Sequence, residues 1–394
     1  MKIILYVNSF LPTVGGREMV VHYLAKAYQE LGHDVRVFGA SGWRKNRNLD
    51  LGYSVCRYPT MNKVFPNQIR MLQLLGDAVF RGCDVVHAHI TYPAGYISAH
   101  LKKIKNIPLV ITPHGNDIHV IPELGHGLRL DPEKDKKIKF ALEKAELLTA
   151  ISESIETSML EAGAMKGKIR AIPNGVDIER FENHETQGVY SWLGVSPSSK
   201  LIVTVGNYNP RKGQDVLVRA MPEILKAVPQ AVLVIVGGRT DALQPLINEL
   251  GVSNAVILTG AVKPPTIHQP NDEGGIEDRL ADIYLSSSVY VSAGVAEGSE
   301  GLSLAVLEAL ASGLPVVASD ISGNRDIVVD NENGFLVKPG SPELLAKAVL
   351  AVLQDPNRQK KMSGLAKAVA EKYRWKRIAT MYLDVYEEAA GILS

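Results

Sequence analysis

The amino-acid sequence predicts an α/β protein of two Rossmann-like, doubly wound domains facing a central cleft. Three observations carry that prediction. Short β-branched apolar runs alternate with segments of helical period, the sequence form of right-handed βαβ units on parallel sheets. The rhythm breaks once, at 177–199, where polar residues replace the periodic pattern, and then restarts. The length of 394 residues suits two domains, or three.

In chain order, residues 2–7 form a buried strand, then a Gly15-Gly16 turn leads into a helix over about 18–31, stopped by Gly32. Strands follow at 34–38, 53–58, 84–89, 108–112, 147–151 and 168–172, with helices at 67–80, 94–103, 133–145 and 153–162. The second series begins with a strand at 201–206. It continues with strands at 231–236, 255–258, 289–292, 315–319 and 334–337. Helices at 342–353, 358–372 and 375–391 end the chain. The expected domains are therefore 1–180, a linker at 181–199, and 200–374. In doubly wound sheets ligands bind beyond the carboxyl ends of the strands.

Composition removes several function classes. Apolar residues at 46% and charged residues at 22% argue against disorder and a coiled coil. A net charge of +1 gives no general attraction to nucleic acid. Cys56 and Cys83 form no CxxC pair, which argues against a disulfide framework or a cysteine zinc site. Residues 1–8 are too short and too soon polar for a signal peptide, and no apolar run approaches the ~18 residues of a membrane span. The expected location is cytoplasmic, with peripheral contact at the inner membrane face as the alternative. Basic runs at Arg44-Lys45-Asn46-Arg47, Lys102-Lys103-Ile104-Lys105 and 134–139 bear on that alternative, although a charge run is more often a solvated helix face. Nine of the ten histidines precede residue 190, the exception being His268. His87, His89 and His114 lack helical metal-ligand spacing, so His87 and His89 read as two residues on one side of a strand near a cleft lip.

The strongest chemical signal is Glu300-Gly301-Leu302-Ser303-Leu304-Ala305-Val306-Leu307-Glu308, which follows a strand and a glycine-containing loop. A helix starting near Leu302 would aim free backbone N–H groups at a diphosphate. Glu308 stands deeper in an apolar stretch, where a carboxylate needs hydrogen bonds that two ribose hydroxyls would supply. The plainer alternative is a surface residue on an amphipathic helix. Glu300, at the mouth, is placed for sugar hydroxyls. Lys212 is a point charge suited to phosphate, with Arg211 beside it in the chain. Gly15 and Gly16 lack side chains, so their amides can approach an anion closely. His114 follows an apolar strand and precedes Gly115, at the position where an α/β sheet presents its ligands.

Glu300 and Glu308, with seven residues between them and Gly301 after the first, resemble the signature of the family 4 retaining glycosyltransferases of GT-B fold, the glycosyl transferases group 1. The resemblance covers nearly the whole chain. Asn207-Tyr208-Asn209-Pro210-Arg211-Lys212-Gly213 is similar to the family's diphosphate-gripping loop. Pro173-Asn174-Gly175-Val176-Asp177 is similar to its segment entering the interdomain linker. Gly15-Gly16 resembles its glycine loop, and His114-Gly115-Asn116-Asp117 its histidine loop beside the donor sugar. The sequence departs from the pattern at Gly206-Asn207, where many members carry Arg after the glycine, so phosphate there falls to Lys212 with or without Arg211. The stretch 263–279, with Pro264-Pro265 and Gly274-Gly275, is longer and more polar than usual; it reads as a base-contacting loop or a lid.

The resemblance implies a hexosyltransferase. It would move a sugar from a nucleotide-sugar donor (UDP-sugar or GDP-sugar) to an acceptor hydroxyl, with retention and without a metal or other cofactor. Its products would be cell-envelope polysaccharide, glycolipid or a small glycoside. The donor site it implies comprises Gly15, Gly16, Asn207, Arg211, Lys212, Gly301, Leu302, Ser303 and Glu308, and the catalytic group His114, Glu300 and Lys212. The acceptor is a carbohydrate, a lipid-linked or a small molecule on the first domain, with an anionic membrane surface as an additional partner and no nucleic acid. The C-terminal helix, 375–394, is expected to pack back on the first domain. Two other readings stand beside this one: a nucleotide-sugar epimerase of the same architecture, and a two-domain sugar-binding protein without chemistry. A nicotinamide enzyme is disfavoured because no GxGxxG follows the first strand.

Overall fold

Ile3, Ile4, Leu5, Tyr6 and Val7 of β1 (Lys2–Val7) are all fully buried. A strand covered by helices on both faces must be apolar at every position, and that is why these runs form parallel sheets. A computed structural model of the chain describes residues 1–40, 49–58, 66–182, 184–186, 188–262 and 278–392. The run Arg44–Arg47, His268 and the 263–277 part of the long polar stretch lie outside these residues.

The chain divides into two units, Met1–Gly175 with Trp375–Ser394, and Val176–Arg374. In the first, β1 is followed by α1 (Gly16–Glu30), β2 (Asp34–Ala40), β3 (Ser54–Tyr58), α2 (Pro66–Arg81) and β4 (Val85–Ala88). Then come α3 (Tyr96–Lys105), β5 (Leu109–Ile111), α4 (Pro132–Lys144), β6 (Leu147–Ala150), α5 (Glu153–Glu161) and β7 (Ile169–Ala171). The seven strands are parallel in the order β3-β2-β1-β4-β5-β6-β7, with Ile4 opposite both Arg36 and Val86. The direction of winding reverses between β1 and β4, which opens a crevice above their carboxyl ends. The loops that reach this crevice carry Gly15-Gly16 after β1 and His89 after β4.

The second unit opens with two short helices, α6 (Glu179–Glu182) and α7 (Val189–Leu193). The stretch 181–199, expected as a linker, therefore belongs largely to this unit: Phe181 and Val189 bury their apolar side chains. The βα series runs β8 (Lys200–Val205), α8 (Gln214–Ala227), β9 (Ala231–Val236), α9 (Gln244–Glu249) and β10 (Val256–Gly260). It continues through α10 (Arg279–Ser286), β11 (Val289–Ser292), α11 (Leu304–Ala311), β12 (Val316–Ser319) and β13 (Gly334–Val337). Two helices follow, α12 (Pro342–Leu353) and α13 (Pro356–Ala370). The six parallel strands lie in the order β10-β9-β8-β11-β12-β13, so the switch point falls between β8 and β11. Their core is the apolar cluster that includes Ile202, Leu233, Val289, Val291 and Val317 with Leu217, Met221 and Val349 from the helices.

The last helix, α14 (Trp375–Ala389), is part of the first unit. Its Tyr386 hydroxyl lies 2.9 Å from the Tyr28 hydroxyl and 2.6 Å from His87 Nδ1, and Trp375 stacks on Tyr23 with ring centroids 5.6 Å apart. Among the described residues no helix is long and apolar enough to cross a membrane. Two of the basic runs lie on helices. Lys102, Lys103 and Lys105 occupy the last turn of α3, where cations suit the negative end of the helix dipole. On α4, Lys134 pairs with Asp131 at 2.9 Å and Lys139 with Asp135 at 2.7 Å.

Candidate active site

In the second unit, the loops after β8 and β11 are locked together by close backbone contact. Gly213 adopts φ +63°, and a Cβ there would stand 1.9 Å from the Ala293 carbonyl oxygen. Only glycine allows that approach in that conformation. Gly237 plays the same part toward the Gly206 carbonyl, at 2.2 Å from its own would-be Cβ. Asn207 Oδ1 accepts the Gly238 N–H at 2.8 Å, so this residue braces the loops after β8 and β9. Its side-chain oxygen is committed to structure, a role that its place in the expected donor set did not anticipate.

Pro210–Lys212 makes a single 3-10 turn, capped by Asn209 accepting the Arg211 N–H at 3.0 Å. Lys212 Nζ lies 2.9 Å from Glu300 Oε1, with the two side chains 27% and 19% exposed. Lys212 and Glu300, expected as neighbours of one ligand, are thus brought together. Arg211 takes another course: its Nη1 donates to the Ser299 carbonyl at 2.5 Å, and its carbonyl accepts the Val295 N–H at 3.0 Å. Burial pulls the Arg211 guanidinium below its ordinary value, with the Glu300 charge opposing. Arg211 therefore fastens the 293–300 loop, and its Nε is buried with no hydrogen-bond partner among the described residues.

Helix α11 begins at Leu304, two residues later than the expected Leu302, because Gly301 and Leu302 are held in the preceding loop. The Gly301 carbonyl sits 2.0 Å from where a Gly323 Cβ would stand. Ser303 occupies the N-cap in extended conformation, yet its side chain makes no capping hydrogen bond. The first-turn N–H groups of α11 are therefore not capped by it, the arrangement that suits an anion.

Glu308 lies on α11 between Leu307 and Ala309, both fully buried, while its own side chain is 20% exposed. It is not a surface residue of an amphipathic helix. Oε1 accepts from Arg180 Nη1 at 2.9 Å and Oε2 from the Tyr284 hydroxyl at 3.1 Å. Burial pushes the Glu308 carboxyl above its ordinary value, and Arg180 pulls it back. Arg180 is in turn held by Asp278, through Nε at 2.5 Å and Nη2 at 2.7 Å. Asp278 also caps α10 by accepting the Ala281 N–H at 3.1 Å. Burial raises its carboxyl, but the hydrogen bonds and charge of Arg180, the Ala281 N–H and His184 together outweigh that and leave it below the ordinary value. Tyr290, inside β11, feels both acids: burial, then the charge of Glu300 and, less strongly, of Glu308, push its phenol up.

Arg180, Asp278 and Tyr284 were not legible as site residues. Arg180 stands three positions after Asp177 in the chain, and nothing in that spacing shows that it reaches α11. Gly237-Gly238, after an apolar strand, carried a signal equal to that of Gly15-Gly16 and belonged with the loops of this site.

In the first unit, Gly15 is the N-cap of α1, in extended conformation, and a Cβ on it would stand 2.4 Å from Glu18 Oε2. The Glu18 side chain, buried, folds back over the helix start and accepts from the Ser9 hydroxyl and, at 3.0 Å, from Arg17 Nη2. The anion next to Gly15 is thus the protein's own Glu18. Gly16 has open space where a Cβ would stand.

His114 donates its backbone N–H to Asp117 Oδ1 at 3.0 Å, and Asp117 Oδ2 accepts the Thr91 N–H at 2.7 Å. The buried Asp117 thereby ties the loop after β5 to the loop after β4. His114 Nε2 lies 3.2 Å from His89 Nδ1. His87 and His89 do share one side of the strand, with ring centroids 4.0 Å apart, but both are fully buried and not at a lip. His87 is satisfied by Tyr386 and by Thr112 Oγ1, each at 2.6 Å. Burial, then His89 and Arg17, hold His114 well below its ordinary value, and burial pulls His89 down to about 3. Both rings are neutral near pH 7, so His114 can offer a hydrogen bond but not a positive charge. Among the described residues no group of three or more His, Cys, Asp or Glu side chains is placed to hold a metal ion.

Two doubly wound parallel units, one with paired acids on the loop and helix after its fourth strand, define a glycosyltransferase of GT-B fold. The chain belongs to the group 1 glycosyltransferases: residues 14–180 match Glycosyltransferase Family 4, and residues 193–369 match Glycosyl transferases group 1. A D-inositol 3-phosphate glycosyltransferase of Xylanimonas cellulosilytica is 30% identical over 321 residues, 78% of this chain and 72% of that protein. An uncharacterised glycosyltransferase of Methanocaldococcus jannaschii is 28% identical over 422 residues, covering 100% of each chain. In fold, the chain is similar to Anabaena HepE in complex with UDP and glucose, with TM-score 0.80 and 22% identity over 98% of this chain and 100% of that one.

Proposed function

We propose that the protein transfers a hexose from a nucleoside-diphosphate sugar to an acceptor hydroxyl with retention of anomeric configuration, and without a metal. The observation that carries this reading is the convergence at the switch point of the second unit. Lys212 and Glu300 meet at 2.9 Å beside the N-terminus of α11, and Glu308 stands on that same helix. A cation and a helix N-terminus that the Ser303 side chain does not cap suit a diphosphate, and a carboxylate suits hydroxyls. Two relatives fit the reading in kind: the D-inositol 3-phosphate glycosyltransferase by its name, and HepE by its complex with UDP and glucose.

In the proposed reaction the bond between the anomeric carbon and the β-phosphate oxygen breaks, and that oxygen leaves with the electron pair. The acceptor oxygen bonds to the anomeric carbon from the same face, and its proton passes to the leaving phosphate. Lys212 and the α11 terminus stabilise the developing charge, an electrostatic contribution that needs no side-chain nucleophile. The diphosphate competes with Glu300 for Lys212, which frees the Glu300 carboxylate for sugar hydroxyls. Glu308 accepts from the ribose. The acceptor class that matches the relatives is a polyol, glycolipid or envelope carbohydrate.

A thermal-shift screen of UDP-, GDP- and ADP-sugars identifies the donor, because a ligand that binds only the folded state raises Tm. Product analysis with and without candidate acceptors then separates transfer from epimerisation, since an epimerase releases an altered sugar nucleotide without acceptor. No Tm shift with any nucleotide sugar, or donor affinity and turnover unchanged in Lys212→Ala and Glu308→Ala, overturns the assignment.

A further inference from the structure

We propose that Arg180 is a positioning residue: it acts through Glu308, aiming that carboxylate so that the site discriminates a ribose diol from a deoxy sugar. The inference rests on the donor-site reading above and adds to it a residue outside the Glu300–Glu308 segment.

The geometry has three parts. Asp278 grips two nitrogens of the Arg180 guanidinium, at 2.5 and 2.7 Å, which fixes the plane of the group. The remaining Nη1 then points at Glu308 Oε1, at 2.9 Å. From α10, the fully buried Tyr284 hydroxyl reaches Oε2 at 3.1 Å. Among the described residues each carboxylate oxygen therefore has one donor, and Arg180 and Asp278 are only 10% and 8% exposed. A carboxylate has about four acceptor positions, and two are taken. The Glu308 side chain is nevertheless 20% exposed, so the acid is steered without being sealed.

The chemistry follows from that arrangement. An ionised carboxylate only accepts hydrogen bonds, so its ligand must bring donors, and the 2′- and 3′-hydroxyls of a ribose bring two. A protonated carboxyl would present a donor to the same diol and lose one acceptor. Burial favours the protonated form, and the Arg180 charge opposes it.

The test is calorimetric titration of the full chain with UDP, GDP and ADP, each beside its 2′,3′-dideoxy form. Wild type is expected to prefer the ribose form of its best nucleotide by at least about 10-fold, the size of one or two hydrogen bonds to a charged group. In Arg180→Gln the ribose form should weaken by about 10-fold, while the dideoxy form stays within about 2-fold, so the preference collapses. Arg180→Lys should restore part of it. Tyr284→Phe, which keeps the Arg180 contact and removes the Oε2 donor, should reduce the preference by about 3-fold and carries the test if Arg180→Gln does not fold. Equal weakening of ribose and dideoxy forms makes Arg180 a structural cross-link and overturns the proposal, as does an unchanged preference in Arg180→Gln or, where that protein does not fold, in Tyr284→Phe. If wild type binds no nucleoside diphosphate, the donor-site reading itself fails and this inference with it. If wild type binds one without preferring the ribose form, the diol assignment of Glu308 fails and the diphosphate part stands.

Discussion

Lys212 Nζ and Glu300 Oε1 lie 2.9 Å apart, joining the loop after β8 to the loop after β11. The pair is partly solvated, and exposed pairs of this kind contribute about 0–1 kcal/mol to stability. Lys212→Ala should therefore leave the unfolding midpoint nearly unchanged. Its kcat/KM for sugar transfer should fall by about 100-fold or more, as when one charge-stabilising group is removed from a transition state. Steady-state kinetics beside urea denaturation check this. A loss of stability as large as the loss of activity would contradict it.

Gly213 and Gly16 separate steric need from close approach. Gly213→Ala places a methyl 1.9 Å from the Ala293 carbonyl oxygen at φ +63°, so the loops after β8 and β11 must part. The expected cost is about 2–4 kcal/mol. Gly16→Ala meets open space in the first turn of α1 and should stabilise by about 0.5–1 kcal/mol. Chemical denaturation of both variants gives the comparison, and a similar cost at the two positions would refute it.

Tyr386→Phe removes the hydroxyl shared by His87 Nδ1 and Tyr28, all in a fully buried cluster. Leaving His87 without one of its two partners should cost about 1–3 kcal/mol. The signature is a lower denaturation midpoint with unchanged affinity for nucleotide, because the partners of this hydroxyl, His87 and Tyr28, are not among the residues proposed to bind the donor.

Acid should destabilise the first unit through His22 and His89. Burial, more than the Lys26 charge, pulls buried His22 down to about 4, and burial with Arg17 pulls His89 down to about 3. The unfolded chain binds protons at about 6.5 while the folded one resists them. Stability is thus full above pH ~6.5 and lost as the pH falls toward the folded values. The loss is on the order of 3 kcal/mol for His22. In His22→Gln the slope of Tm against pH between about 6.5 and 4 should be shallower than in wild type, a difference scanning calorimetry resolves.

Much of the fold was legible because parallel strands buried on both faces must be apolar throughout. The strand expected at 289–292 coincides with β11, and the one expected at 34–38 runs two residues further, to Ala40. Helix starts were less legible. Gly301 packs against Gly323, far along the chain, and this delays α11 to Leu304 in a way that no local periodicity records. The residues 181–199 looked like a linker because α6 and α7 are too short to show a helical period.

Chemistry followed the same division. The sequence by itself determined which residues bear charge at the ends of which strands: Lys212 after β8, Glu300 after β11, His114 after β5. These depend on local order along the chain, and alternation of strand and helix places them at carboxyl ends. Only the tertiary structure decided their partners. It turned Arg211 to the Ser299 carbonyl, committed Asn207 Oδ1 to Gly238, and set Glu308 between Arg180 and Tyr284. A carboxylate placed in an apolar helix must find donors, but which donors it finds depends on how the α6 and α10 segments pack against α11. That packing is non-local, and it is what makes Arg180 part of the site.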